Sequence, residues 1–294
     1  MIPPRRIALS GGGMKGIAHV GALEVLEARG LLSCIKEYLG TSAGALISFC
    51  IVIGYTLSEL RSLCSVLDFT QTQNLDFDTI LDFPNRLGLD DGKNVEKFLG
   101  VLIRAKGLSE TTTFEELYLK KPNAPNLRVF ATNLDSMSLK EFSIQTPTVP
   151  LIFAVRASMA IPFLFIPLKD TLGELLVDGA LISQFPFHHL SDSQRSETIG
   201  IAFNIVKPPE FASKNHTLTT FFVHCIQSAY KHQDRKLFLK WSNRIIDIQC
   251  NEYITIQFNA SNQQKIEIMN TGREAAENFF MKKGPVPVRR YSLP

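Results

Sequence analysis

The amino-acid sequence predicts an α/β protein with a mainly parallel central sheet and helices on both faces. Three observations carry this. The opening alternates strand, helix, strand, helix, the order that builds parallel sheets. Glycine-rich turns stand at each strand-to-helix junction, Gly11–Gly13 and Gly40–Gly44. The segment Ala43 to Ile53 is apolar nearly all round, which marks a central helix rather than a surface one.

Taken in order, Arg5 to Ser10 reads as a short apolar strand. Met14 to Arg29 has helical spacing, with Ile17, Val20, Leu23 and Leu26 recurring every three residues and Gly30 as a stop. Ile35 to Leu39 is the second strand and Ala43 to Ile53 the second helix. Gly92 to Ile103 and Thr113 to Leu117 read as helices, the latter opening with a Thr-x-x-Glu capping pattern at Thr113 and Glu116. Asn126 to Leu134 and Leu139 to Ile144 read as strands around a polar turn, and Glu174 to Val177 and Thr198 to Ile205 as further strands. Leu218 to Leu239 and Gln264 to Met281 read as long helices. No internal repeat or linker divides residues 1–281, which are expected to form one domain. The remainder, 282–294, is basic and proline-containing and reads as a disordered tail.

The composition narrows the function classes. A net charge of +3 over 294 residues provides no basic field for nucleic acid. The five cysteines, Cys34, Cys50, Cys64, Cys225 and Cys250, form no C-x-x-C pair, and their odd number fits reduced thiols of a cytoplasmic protein. No apolar segment precedes the first motif, so no cleaved signal peptide is expected. Two weakly charged stretches, Tyr38 to Ser58 and Pro147 to Leu168, reach the length of a membrane span. Their glycine, serine and proline content favours buried core. No His/Cys/Asp cluster has metal-ligand spacing, and neither a metal nor a cofactor is expected.

Three motifs carry chemistry. Gly11 to Gly16 (GGGMKG) lies between a strand and a helix. Its glycines leave backbone N–H groups open, and the helix N-terminus behind them favours an anion. Lys15 falls in the first helical turn, where the dipole disfavours a cation. The same segment also matches G-x-G-x-x-G (Gly11, Gly13, Gly16), so a nucleotide-binding module is an open alternative. The acid such a module needs is poorly placed, because Glu37 lies inside the second strand. Gly40-Thr41-Ser42-Ala43-Gly44 fits G-x-S-x-G, the nucleophile elbow, in the required strand-to-helix context. There the Ser42 hydroxyl projects from the strand end, and the Ala43 N–H points to where an oxyanion would form. Asp178-Gly179-Ala180 ends an apolar strand and by itself reads more readily as a strand-ending Asp-Gly turn than as a catalytic site.

Together the three motifs resemble the patatin-like phospholipase family, in that family's order. The connecting segments Gly16 to Leu26, Ala131 to Leu134 and Ala154 to Pro162 are similar too. The resemblance runs from Ile7 to about Ile205, and more thinly through Gly272 to Phe280. It implies a three-layer α/β fold and a lipid acyl-ester hydrolase. Ser42 would be the nucleophile, Asp178 the general base and Gly11 to Gly13, with Ala43, the oxyanion hole. Gly40, Gly44, Gly16, Lys15, Gly179 and Ala180 would support them. One position departs from the family pattern: Gln184 stands before Phe185-Pro186, where asparagine is usual.

A carboxylate serving as the only base must be partly desolvated to work near neutral pH. The Phe163–Ile166 segment is a candidate for that role, for an acyl channel, or for plain core. A Ser-Asp-His triad is the alternative mechanism, with His188, His189, His216, His224 or His232 as the third member; His19 precedes the nucleophile and reads as structural. A silent lipid-binding protein is a third reading. The expected partners are a lipid ester and a transiently touched membrane surface, contacted through Lys282, Lys283, Arg289 and Arg290 of the tail or through residues near Phe163.

Overall fold

The structure is a computed structural model and describes residues 2–66, 82–203, 236–250 and 259–282, with positions 70, 221, 225 and 228. The strands are β1 (Arg6–Leu9), β2 (Glu37–Thr41), β3 (Gly88–Asp90), β4 (Asn126–Asn133), β5 (Ser138–Phe142), β6 (Phe163–Phe165), β7 (Leu168–Lys169), β8 (Leu175–Asp178), β9 (Thr198–Phe203) and β10 (Ile245–Ile248). The principal helices are α1 (Ile17–Ala28), α2 (Ala43–Ile53), α3 (Leu57–Val66), α4 (Lys93–Ala105), α5 (Phe114–Lys120), α6 (Leu151–Ser158) and α7 (Asn262–Met281).

The main sheet runs β10-β9-β1-β2-β4 with every neighbour parallel, and β5 and β8 join β4 antiparallel. A parallel sheet needs both faces covered, and the strands alternate accordingly. Ile7 and Leu9 of β1, Tyr38 of β2 and Ile246 and Ile248 of β10 join the larger core. Ala8, Leu39, Phe130 and Ile245 join a second core with Phe185 and Phe187. Helices α1, α2 and α7 pack on the larger side, and the 3-10 turn Pro186–His189 on the other. This is the expected three-layer arrangement.

The registers around β4 position the site. Strand β5 pairs with Val129–Asn133, β2 with Asn126–Phe130 and β8 with Ala131–Asn133. Because β5 occupies one edge, β2 and β8 must share the other. They lie end to end, β2 running up to Thr41 opposite Phe130 and β8 running down to Asp178 opposite Ala131. The residue after β2 and the last residue of β8 therefore meet.

Several sequence expectations are refined. The first helix opens with a 3-10 turn, Gly13–Gly16, before α1 begins. The capping box at Thr113 and Glu116 is formed. Helices α3 and α6 and strand β10 had no sequence expectation. The stretch Tyr38 to Ser58 is β2, α2 and the start of α3, and the second stretch holds α6 and β6. Among the described residues, no helix is long and apolar enough to cross a membrane. None of the five cysteines forms a disulfide. The expected helix Leu218 to Leu239 lies mostly outside the described residues, as do His216, His224, His232 and the tail beyond Lys282.

Candidate active site

The elbow is built by close backbone approach. A Cβ on Gly44 would sit 2.3 Å from the Leu9 carbonyl oxygen, so only glycine lets α2 leave β2 against β1. Ser42 between them takes φ 53 and ψ −122, a region that non-glycine residues enter only where surrounding structure holds them. The hold is visible. The Ser42 N–H donates to Ser158 Oγ at 2.9 Å, and Ser158 Oγ donates to the Phe130 carbonyl at 2.6 Å. Ser158, from α6, thus ties the elbow to β4. Its place in the Ala154 to Pro162 segment was legible in the sequence, but its role was not.

Ser42 Oγ donates to Asp178 Oδ2 at 2.6 Å. Both residues are buried, at 6% and 3% exposure. The other carboxylate oxygen, Oδ1, accepts the Ala180 N–H at 2.8 Å. The backbone of Asp178 is fixed as well. Its N–H donates to Ala160, and its carbonyl accepts from Thr132 Oγ1. Burial pushes the Asp178 carboxyl from 3.8 up to about 7, outweighing the donors from Ser42 and Ala180, which pull it down.

The glycine loop borders this pair. A Cβ on Gly11 would lie 3.3 Å from Ser42 Cβ, and one on Gly12 would strike the Phe203 ring at 2.4 Å. The Gly11 N–H donates to the Gln184 carbonyl at 2.8 Å, and Gln184 Nε2 donates back to the Gly11 carbonyl at 3.3 Å. Gly11 was expected among the oxyanion donors. Its N–H is instead spent on Gln184, so Gly11 anchors the loop, and the residue that departs from the family pattern is the anchor. His19 supports the loop from below. Its Nε2–H donates to the Ser10 carbonyl at 2.9 Å, its ring lies 4.7 Å from that of Phe203, and burial lowers its pKa to about 4. It is neutral and structural. Lys15 sits in the 3-10 turn, not in α1. It is buried, and desolvation lowers its pKa.

An apolar pocket with about 940 Å³ of empty space, counting its open mouth, adjoins Ser42. Gly13, Ala43, Met159 and Ile161 line it near the loop and elbow, and α2, α3 and α4 add side chains such as Ile47, Leu63 and Phe98. Of the Phe163–Ile166 segment only Phe165 lines it. The α3 and α4 contributions had no sequence signal, since helices that wall a pocket look like helices that wall a core.

The histidines near Asp178 in sequence do not reach it. His189 stacks on Phe130 with ring centroids 6.0 Å apart, and His188 meets Phe185 edge-on. Both rings sit beside residues of the second core, on the opposite sheet face from the pocket. Among the described residues, no group of three or more His, Cys, Asp or Glu is arranged to hold a metal ion.

Comparisons with known proteins bear on the fold and the family. VipD from Legionella pneumophila matches with a TM-score of 0.60 at 17% identity, over 94% of this chain and 66% of VipD. The type III effector ExoU matches at 0.55 and 16%, over 96% of this chain and 53% of ExoU. This chain thus spans between half and two thirds of those two solved chains, and at such identity the likeness is one of fold. YqhO from Bacillus subtilis (strain 168) is 29% identical, covering 92% of this chain and 96% of YqhO. Probable lipid hydrolase 463L of Invertebrate iridescent virus 6 is 28% identical, covering 92% and 87%. The family model for patatin-like phospholipase matches residues 7–191, from the first strand through all three motifs. The chain belongs to the patatin-like phospholipase family.

Proposed function

We propose that this protein is a lipid acyl-ester hydrolase working through a Ser42–Asp178 dyad. The observation that carries it is the 2.6 Å hydrogen bond between Ser42 Oγ and a carboxylate whose burial raises it to about 7. A carboxylate with that affinity for a proton is matched to accepting one at neutral pH. A hydroxyl already aimed at it is a nucleophile with its base in place.

The reaction runs in two halves. Ser42 Oγ attacks the ester carbonyl while its proton passes to Asp178 Oδ2. The tetrahedral oxyanion collapses, and the leaving alcohol takes the proton from Asp178. Water then attacks the acyl-serine, gives a proton to Asp178, and the released Ser42 Oγ recovers it as the fatty acid departs. The N–H groups of Gly12, Gly13 and Ala43 stabilise the oxyanion. Ala43 begins α2, where N–H groups have no partner within the helix and the dipole favours negative charge. The apolar pocket receives the acyl chain.

The family membership and the viral relative named a probable lipid hydrolase support the substrate class. The nucleotide-binding reading has no comparable support, since the loop packs against the elbow and the adjoining pocket is apolar. The test is a fluorophosphonate probe with peptide mapping, alongside turnover on phospholipids, lysophospholipids and short acyl esters. A single label on Ser42, lost in Ser42→Ala, is expected. Label surviving in that variant would falsify the assignment.

A further inference from the structure

Two hairpin tips rise beside the site. In parallel register Thr41 stands opposite Phe130, and β4 then continues through Asn133, three residues or roughly 10 Å farther in Ser42's direction. The turn after β4 carries Leu134 and Met137, and the turn between β7 and β8 carries Leu172. Met137 is 85% exposed, Leu172 79% and Leu134 38%.

These side chains are held out by a rigid frame. The Leu134 N–H donates to the Leu175 carbonyl at 2.9 Å, and the Leu175 N–H donates to Asp135 Oδ2 at 2.6 Å, locking one turn to the other. Asn133 Nδ2 donates to Glu174 Oε2 at 2.6 Å, and Asn133 Oδ1 accepts the N–H groups of Asp135 and Ser136. Asp170 Oδ1 accepts the N–H groups of Leu172 and Glu174. Met137 stands at φ 50, a left-handed position better suited to glycine or asparagine. A large apolar residue there bears both backbone strain and exposure to water.

We propose that these two tips are the membrane contact of this protein, dipping Met137 and Leu172 into a lipid surface so that Ser42 faces it. This rests on the lipid-hydrolase reading for the choice of partner. Area argues for lipid over a protein. Two or three side chains on narrow tips are far short of the ~800 Å² that each partner buries in a standard protein interface, whereas a bilayer accepts isolated apolar tips. Charge argues for insertion over electrostatic adhesion, since the acids at the tips, Asp135, Asp170 and Glu174, offset Lys140 and Lys169. The contact should therefore need no anionic lipid and resist salt, unlike adhesion through the basic tail.

The experiment is co-sedimentation with phosphatidylcholine vesicles in high and low salt, using the full chain carrying Ser42→Ala so that binding is read without turnover. The same chain with Met137→Asp and Leu172→Asp added should bind at least tenfold more weakly. A version with Met137→Leu and Leu172→Phe should bind like the parent. Thermal melting checks that all three are folded. Parallel assays on enzyme with Ser42 intact should show the aspartate pair lowering hydrolysis of vesicle lipid while sparing a dissolved short-chain ester. Vesicle binding that is absent from the parent, or unchanged by the aspartates, overturns the proposal. So does a tip-dependent capture of a second protein without lipid. Tip-dependent binding by a chain that hydrolyses no ester would uphold the contact and sink the lipid-hydrolase reading instead.

Discussion

Replacing Asp178 with asparagine should make the protein more stable at alkaline pH while abolishing turnover. The folded carboxyl is raised from 3.8 to about 7 by burial. Between those values the folded state binds more protons than the unfolded chain, so this group's contribution to stability falls as pH rises. The contribution is whole below the unfolded value and lost once pH passes the folded one. The gap between 3.8 and about 7 corresponds to roughly 4 kcal/mol of strain from an ionised buried carboxylate. Asparagine keeps the shape, keeps an acceptor for the Ala180 N–H and never ionises. At pH 8 Asp178→Asn should therefore melt higher than the parent, on the order of 10 °C if the whole gap is realised, and the advantage should vanish toward pH 4. Denaturant unfolding of both proteins at several pH values measures it. An asparagine variant no more stable than the parent at pH 8 would refute the burial argument. With Asp178 as the proposed base, kcat/KM should fall about tenfold per pH unit on the acid side of about 7, whereas an ordinary aspartate would hold activity down to pH 4.

Three further outcomes follow from named contacts. Gly12→Ala should cost about a hundredfold or more in kcat, the scale of losing one oxyanion donor, because its Cβ would strike the Phe203 ring at 2.4 Å and shift the loop; melting temperature separates this from unfolding. Ser158→Ala leaves the buried Ser42 N–H and Phe130 carbonyl without their partner, so it should cost about 1–3 kcal/mol in stability and slow acylation together. His188→Ala and His189→Ala should each keep most activity, since both rings lie on the far sheet face beside Phe185 and Phe130; a collapse in either folded variant would restore the triad mechanism.

The sequence by itself determined the local devices. Arg6–Leu9 and Glu37–Thr41 are strands, and Ala43–Ile53 is a helix, because apolar runs and glycine punctuation act over a few residues. The elbow at Ser42 was legible for the same reason: a G-x-S-x-G turn is built from its own backbone. Asp178 was not legible in that way. Alone it fitted a strand-ending turn, and only the family resemblance raised it above that. What joins it to Ser42 is register, with β2 and β8 sharing one edge of β4 and ending against each other across 136 residues of chain. Short-range patterns do not encode which edge a distant strand takes. The pocket walls from α3 and α4, the brace from Ser158 and the use of the Gly11 N–H by Gln184 are likewise products of packing. So is the raised affinity of Asp178 for its proton, because desolvation comes from the neighbours that folding brings, not from those that precede it in the chain.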